Sequence, residues 1–573
     1  MKWVKGTAFL LMGFLFTLSA AGAQAVSKSE AKRYLDQLVD RITANENHLV
    51  RSFAVYTPRV ETYIQEFQRG PNDKTLGPQI VGDAYFLGRL ITRKRLVEQT
   101  LLPQPSLASR ILADATLYKA VKRLTTIQFQ TNVFGLPIFV DPRHFDRRHY
   151  KFTFVRRDFL GEVRCLVFDV TPRKHAGKDL FKGRIWVEDR GYNIVRFNGS
   201  YGPHARFGLH FDSWRENLQP GIWLPVYIYS EETNLGRFGA PGRGFRAQTR
   251  FWGYDLKSAN PEEQLTRLMI ESKSAVDESQ QAARDYSPLA SQRMWLDEAA
   301  ENVLDRLQKA GLVAPPGPVD KVLDTVVNNL IITNHLNTLP PIHCRVLLTY
   351  PLETLTVGDT ILISRGLLDV LPNEACLAMM LAHELGHILN GDNISTQYAF
   401  DDRMMVPDDK LLQTLDLTHS AADEAAADQR ALALLMNSPY KNQLASAGLF
   451  LKALAETAPH TPALLGAHLG NRLLDRNHQL RLAALMMRAP SLQPANLHQI
   501  AALPLGSRIE VNAWNDQVSL VKAKALPLVS PKDKMPFEVT ALFPYLTRYH
   551  APSRAEAPVQ AQAQPRPSAQ SQR

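Results

Sequence analysis

The residues best equipped for chemistry lie in the stretch CLAMMLAHELGHILNGD, residues 376–392. His383 and His387 are four apart, so on a helix their rings leave the same face one turn apart and can grip a single divalent ion. Glu384 follows the first histidine directly, where its carboxylate reaches a water activated by the ion rather than the ion itself. Two histidines and a carboxylate without partners are costly in so apolar a segment, and a metal removes that cost. A third ligand with a histidine six residues past His387 is excluded, because Asn390 and Asn393 occupy the glycine and histidine positions of that pattern. Further along, HSAADEAAADQRALALL sets Glu424 and Asp428 four apart among alanines. Glu424 suits a third ligand that leaves one tetrahedral position for water, and Asp428 can fix a ligand histidine by hydrogen bond. The plainer alternative for this pair is a solvated acidic face. His419, five residues before Glu424, is by default a surface histidine, with a loop-borne visit to the open metal position as the alternative. Zinc follows from ligand type, although the same groups hold other divalent ions.

Two helices must position these groups. Asn373 is a candidate cap, Glu374 an acidic first-turn residue and Gly391 a stop for the first, and Gly386 permits close approach of a neighbouring backbone. The second begins near Ser420. Strand-like runs CRVLLTY and TILIS precede the first helix between 344 and 364, and helical periods occupy 295–312 and 319–333. Earlier in the chain, residues 26–49 and 105–127 are helical in pattern. Residues 150–255 alternate in short period-two runs, as expected for a mostly antiparallel sheet with one covered face. The Gly/Arg-rich 236–246 segment suggests a long hairpin connection. Residues 506–550 return to short strand-like pieces, and the Pro/Ala/Gln/Ser-rich 551–573 segment cannot offset its ordering entropy and is expected to be disordered.

The 573 residues are ordinary in composition, 45% hydrophobic and 21% charged, but the net charge of +10 is uneven. Residues 26–288 hold 40 basic against 29 acidic side chains, and residues 289–573 hold 24 against 27. A basic first half can meet anionic headgroups or another acidic partner, although surplus surface arginine explains it equally well. Nothing resembles a nucleic-acid-binding motif. Lys2 and Lys5, the apolar run 7–20 and the small residues Ala21, Ala23 and Ala25 read as a secretory signal rather than a retained anchor. Cys165, Cys344 and Cys376 are too few and too widely spaced for a disulfide framework and are expected to be buried thiols.

The motif pair H-E-L-G-H and E-A-A-A-D-x-x-A, with Gly366–Leu368 reading GLL, resembles the HtpX/BepA/Oma-type gluzincin zinc metallopeptidases, the family that includes the CAAX prenyl protease. The resemblance covers roughly residues 290–490. It implies His383, His387 and Glu424 as ligands of one Zn2+ per chain, Glu384 as catalytic base and Asp428 behind the ligands. It also implies that TILIS, 360–364, pairs with extended substrate by edge addition. The family's Asn-Ala segment is replaced here by YPLETLTVGD, 350–359. Its His-Pro…Arg motif survives only in part as NHQLRLAAL, 477–485, where His478 or Arg481 is an oxyanion candidate and an ordinary cap and salt bridge the alternative. The strands FKGRIWVEDRGYNIVRFNGSY and GIWLPVYIY resemble LolA-like lipoprotein carriers. That likeness implies a half-barrel with an apolar concavity for acyl chains or a protein partner, although Trp and Phe there are more often core.

The expected architecture is α+β and multidomain: a sheet-rich, LolA-like half-barrel followed by a mainly helical zincin domain with a small strand region. The expected boundaries are a signal at 1–25, a basic sheet domain at 26–288, the metallopeptidase domain at 289–500, a small β appendage at 501–550 and the tail. The expected function is a periplasmic zinc endopeptidase acting on protein or peptide, with an envelope membrane or lipoprotein partner for its first half. The rival is a non-catalytic assembly factor or lipid carrier with a structural or degenerate metal site.

Overall fold

A computed structural model describes residues 28–70, 78–91, 97–101, 136–177, 180–202, 210–232, 242–255, 288–337, 341–392, 417–466, 468–470, 473, 480–503, 508–521, 528–534 and 537–550. The signal, the 105–127 helix, most of the 236–246 connection, His478 and the tail fall outside these residues.

The first half is built on one ten-stranded sheet. Its strands are β1 (Arg59–Gln68), β2 (Gln79–Ile91), β3 (Val97–Thr100), β4 (Tyr150–Leu160), β5 (Val163–Pro172), β6 (Phe181–Glu188), β7 (Ile194–Tyr201), β8 (His210–Gln219), β9 (Ile222–Glu232) and β10 (Arg243–Trp252), in the order β3-β2-β1-β10-β9-β8-β7-β6-β5-β4. Every neighbouring pair is antiparallel. Strands β4 to β10 form a meander, and β1 closes against β10 in unbroken register from Arg59↔Trp252 to Gln68↔Arg243. Helix α1 (Lys28–Ser52) lies against this sheet, where buried Glu46 receives both terminal nitrogens of Arg215 at 2.6 and 2.8 Å.

The second half is mainly helical: α2 (Pro288–Lys309), α3 (Pro318–Thr333), α4 (Arg365–Val370), α5 (Glu374–Asn390), α6 (Ala421–Met436), α7 (Leu444–Thr457) and α8 (Pro462–Leu465). Its small sheet contains β11 (His343–Leu347), β12 (Thr354–Val357) and β13 (Thr360–Ser364) in the order β11-β13-β12. Strand β13 is therefore central, parallel to β11 and antiparallel to β12. That corrects the expectation that TILIS offers its edge to substrate: both sides of its ladder are occupied, and the edge strands are β11 and β12. A two-stranded ladder of β14 (Ile509–Val511) and β15 (Val518–Leu520) follows. All three cysteines are free and buried.

The two halves share polar contacts as well as packed apolar surface. The Glu61 carboxylate on β1 accepts from Arg365 Nη2 at 2.5 Å, the Tyr85 hydroxyl at 2.8 Å and Tyr350 N–H at 2.6 Å. Asp83 on β2 accepts the N–H groups of Ala463 and Leu464 at the start of α8, both at 2.8 Å. Gln65 donates to Phe537 O at 2.5 Å and accepts from Val539 N–H at 2.7 Å. The sheet face carrying Glu61, Tyr63 and Gln65 is thus taken up by the second half and the returning chain end. No described helix is long and apolar enough to cross a membrane.

Candidate metal centre

Helix α5 starts where the Asn373 side chain accepts from Cys376 N–H at 3.1 Å, and it stops at Gly391, which adopts φ +76°. Between them the helix is almost wholly buried. Helix α6 starts with a reciprocal cap: the Ser420 hydroxyl accepts from Asp423 N–H, and the Asp423 carboxylate accepts from Ser420 N–H, both at 3.2 Å. Asp423 is therefore a half-buried capping residue, whereas Glu424 turns inward. The helices approach closely at Gly386, where an added Cβ would lie 2.8 Å from Ala427 O.

This packing brings His383, His387 and Glu424 together, all buried. Their facing atoms are separated by 3.2 Å (His383 Nε2 to His387 Nε2), 3.1 Å (His383 Nε2 to Glu424 Oε2) and 3.6 Å (His387 Nε2 to Glu424 Oε2). A tetrahedral ion with bonds of about 2.0–2.1 Å sets its donors about 3.3 Å apart, so the cluster fits a zinc-like ion. Behind each histidine stands a carboxylate. His387 Nδ1 lies 2.9 Å from Asp392 Oδ2. His383 Nδ1 lies 2.8 Å from Asp428 Oδ1, an ion-pair distance at which the N–H does not line up as a hydrogen bond. Protons held on the two Nδ1 atoms leave both Nε2 lone pairs facing the centre. Asp428 also accepts from Leu482 N–H at 2.9 Å, which fastens the 480–482 segment beside the site.

The electrostatics are those of a centre built for a cation. Burial works against charge on His383, but the adjoining Asp428 and Glu424 carboxylates win and push it up to about 10. Burial opposes His387 in the same way, and Glu424, Glu384 and Asp392 raise it. Burial likewise opposes ionisation of Glu424, yet its histidine partners and Arg481 hold it down at about 2. Metal binding to this ligand set would compete with protons for the imidazole nitrogens.

Glu384 is fully buried and held by two hydroxyls: Thr354 Oγ1 on Oε1 at 2.6 Å and Thr356 Oγ1 on Oε2 at 2.5 Å. Arg481 Nη1 pairs with Glu424 Oε2. Thr354, Met380, His383, Leu451, Leu473, Arg481 and Leu482 line a recess of about 10 Å³, room for about one water. A recess of this size does not itself hold a peptide. The half-buried His419 is no plain surface residue: its ring stacks on that of His387 at 4.0 Å and 15°. Burial and the neighbouring His387 charge lower its pKa.

Sequence reasoning missed Asp392, the two threonines and Glu353. Asp392 lies one residue beyond the helix stop, five after His387. The threonines alternate on one face of β12, a period-two signal. Buried Glu353 accepts three consecutive N–H groups, from His468, Leu469 and Gly470 at 3.0, 3.0 and 3.2 Å, and so binds that segment beside β12.

Residues 354–468 match the sequence model of Peptidase family M48. That stretch holds α5, α6 and every residue of the cluster, so the chain carries a metallopeptidase-family domain there, as the motif resemblance implied. Among solved structures, the chain is similar to a LolA superfamily protein from Nitrosomonas europaea, at 11% identity and TM-score 0.18, covering 37% of this chain and 90% of that one. It is also similar to a DUF1329 family protein from Desulfovibrio piger, at 11% identity and TM-score 0.16 over the same shares. No curated protein matches the sequence.

Proposed function

We propose that the protein is an exported zinc-dependent endopeptidase of the bacterial envelope, acting in protein quality control or processing. The observation that carries the reading is the buried donor set of His383, His387 and Glu424 with Glu384 one residue from the first ligand. A divalent ion held there supplies Lewis acidity, lowering the pKa of a water and polarising a carbonyl. Glu384 takes a proton from the attacking water and delivers it to the amine nitrogen as the C–N bond breaks. The water's oxygen remains on the acyl carbon. Asp428 and Asp392 orient the two ligand rings. Arg481, at the recess and paired with Glu424, is the described candidate for stabilising the oxyanion. The signal-like residues 1–25 support export, and the basic residues 26–288 support contact with an envelope membrane or lipoprotein partner.

A second reading, a binding or assembly factor with a silent metal site, is favoured by the small size of the described recess, about 10 Å³. Metal analysis and proteolysis separate the two. The endopeptidase reading expects about one zinc per chain, lost in His383→Ala, and cleavage of fluorescein-labelled casein that Glu384→Gln abolishes while retaining zinc. Zinc binding without cleavage by the wild type favours the silent site, and cleavage unchanged in Glu384→Gln removes the assigned base.

A further inference from the structure

The Glu384 carboxylate is held in an unusual way for a group that must accept and release a proton. Two hydroxyls donate to it, one on each oxygen, from residues two apart on a single edge strand. Thr354 reaches Oε1 at 2.6 Å and Thr356 reaches Oε2 at 2.5 Å. All three residues are buried, so water does not compete for these contacts. The geometry follows from the strand: Thr354 and Thr356 share a face because side chains alternate, while Leu355 and Val357 face the opposite way. The strand itself is fixed by β13, with Thr354↔Ile363 and Thr356↔Ile361 in register.

From this arrangement we propose that Thr354 and Thr356 are positioning residues for the catalytic base, a role that rests on the peptidase reading. An ionised carboxylate has about four acceptor sites, two on each oxygen. One hydroxyl on each oxygen leaves a site on each for the water that Glu384 must deprotonate. The pair therefore fixes the plane of the carboxylate without using up its capacity. Threonine suits the task because branching at Cβ restricts χ1 and keeps each hydroxyl aimed. Thr354 also lines the recess beside His383, so one of the two hydroxyls that hold the carboxylate belongs to a residue bordering that space. Neither threonine touches a metal-ligating atom, so their contribution passes through Glu384 alone.

The test uses the full-length mature protein and the variants Thr354→Val, Thr356→Val, their combination, and Thr→Ser at each position. Zinc content should stay at the wild-type level throughout. On fluorescein-labelled casein, the double valine variant should lose about 10- to 100-fold in kcat, the range for removing groups that orient a metal site, with KM nearly unchanged. Serine should restore the rate at each position. A second measurement needs no turnover: thermal unfolding of the metal-free protein, in the wild-type background and in Glu384→Ala. Valine leaves a buried carboxylate without its hydroxyl donors in the first background and, in the second, removes hydroxyls that have already lost that carboxylate, Thr356 keeping only the 3.5 Å contact to the residue 384 carbonyl. The melting temperature should therefore fall in the first and hold or rise in the second. Equal shifts in both backgrounds, an unchanged kcat, or failure of serine to restore activity each overturns the proposal. A wild type that holds zinc but cleaves no casein sinks the peptidase reading itself. A background-dependent melting shift would then assign the threonines a structural role only.

Discussion

Arg365→Met should destabilise the junction between the two halves, and the size of the effect follows from what surrounds Glu61. Both members of the pair are almost fully buried, at 1% exposure for Arg365 and 2% for Glu61. Methionine keeps the apolar bulk, so the losses are the charge beside Glu61, the Arg365 Nε donation to Leu348 O at 3.1 Å and the guanidinium over the Tyr350 ring. Glu61 then retains the Tyr85 hydroxyl and Tyr350 N–H but has lost its closest cation. Breaking a buried pair by removing one partner costs about 3–5 kcal/mol. At about 2–4 °C per kcal/mol for a domain of this size, the melting temperature should fall by about 10 °C. The loss should also depend on pH. Burial already raises the Glu61 pKa above its ordinary 4.5, and Arg365 is the largest opposing influence, so the variant raises it further. A carboxyl whose folded pKa lies above its unfolded one carries no penalty below the unfolded value, and the penalty grows as pH rises through the folded value. The deficit should therefore be smaller near pH 4.5 than at pH 8, and Glu61→Gln in the same chain should recover the pH-dependent part of it. Differential scanning calorimetry of the three variants across that range is the assay. A deficit equal at pH 5 and pH 8, or no recovery in the double variant, would refute the reasoning.

Three further outcomes are expected. Asp392→Asn should weaken zinc binding by about 10- to 100-fold in competition with a chelator, because His387 loses the carboxylate that orients it. Gly386→Ala should cost about 1–3 kcal/mol in chemical denaturation and lower zinc affinity, since its Cβ would press on Ala427 O and shift Glu424 away from the histidines. Asp516, pushed up to about 7 chiefly by burial, makes the wild type lose stability as pH rises from about 4 to 7. Asp516→Asn keeps an acceptor for Gly253 N–H and tolerates φ +62°, so its melting temperature should exceed the wild type's at pH 8 and converge with it near pH 4.

The two metal-site helices were legible because local chemistry specifies them. Asn373, Gly391 and Ser420 mark their ends, and four-residue spacings put the ligands on one face. Strands β1 and β2 were not legible. Nine of the ten residues of β1 are buried, on both faces, and they include Arg59, Glu61, Gln65 and Glu66. A strand covered on two sides by polar partners from distant sequence shows no alternation of apolar and polar residues. The order β11-β13-β12 escaped for a related reason: strand order within a sheet is set by long-range pairing, and β12 precedes β13 in the chain yet lies outside it. Asp392 and the Thr354–Thr356 pair left local signals, but their meaning appears only when β12, α5 and the chain after Gly391 converge on the same side chains.

The contacts of Gln65 also bear on the order in which the chain can fold. Its partners Phe537 and Val539 lie 472 and 474 residues later, and the Glu61–Arg365 pair closes a separation of 304. Contacts this distant bear a large loop-closure entropy before they are rewarded, which slows folding. A growing chain can form the meander β4 to β10 early, but Gln65 on β1 lacks its Phe537 and Val539 partners until residues 537–539 are made. Removing residues from 537 onward should therefore loosen the sheet near the opposite end of the chain, leaving the sequence boundary between the halves without a matching boundary in the folding unit.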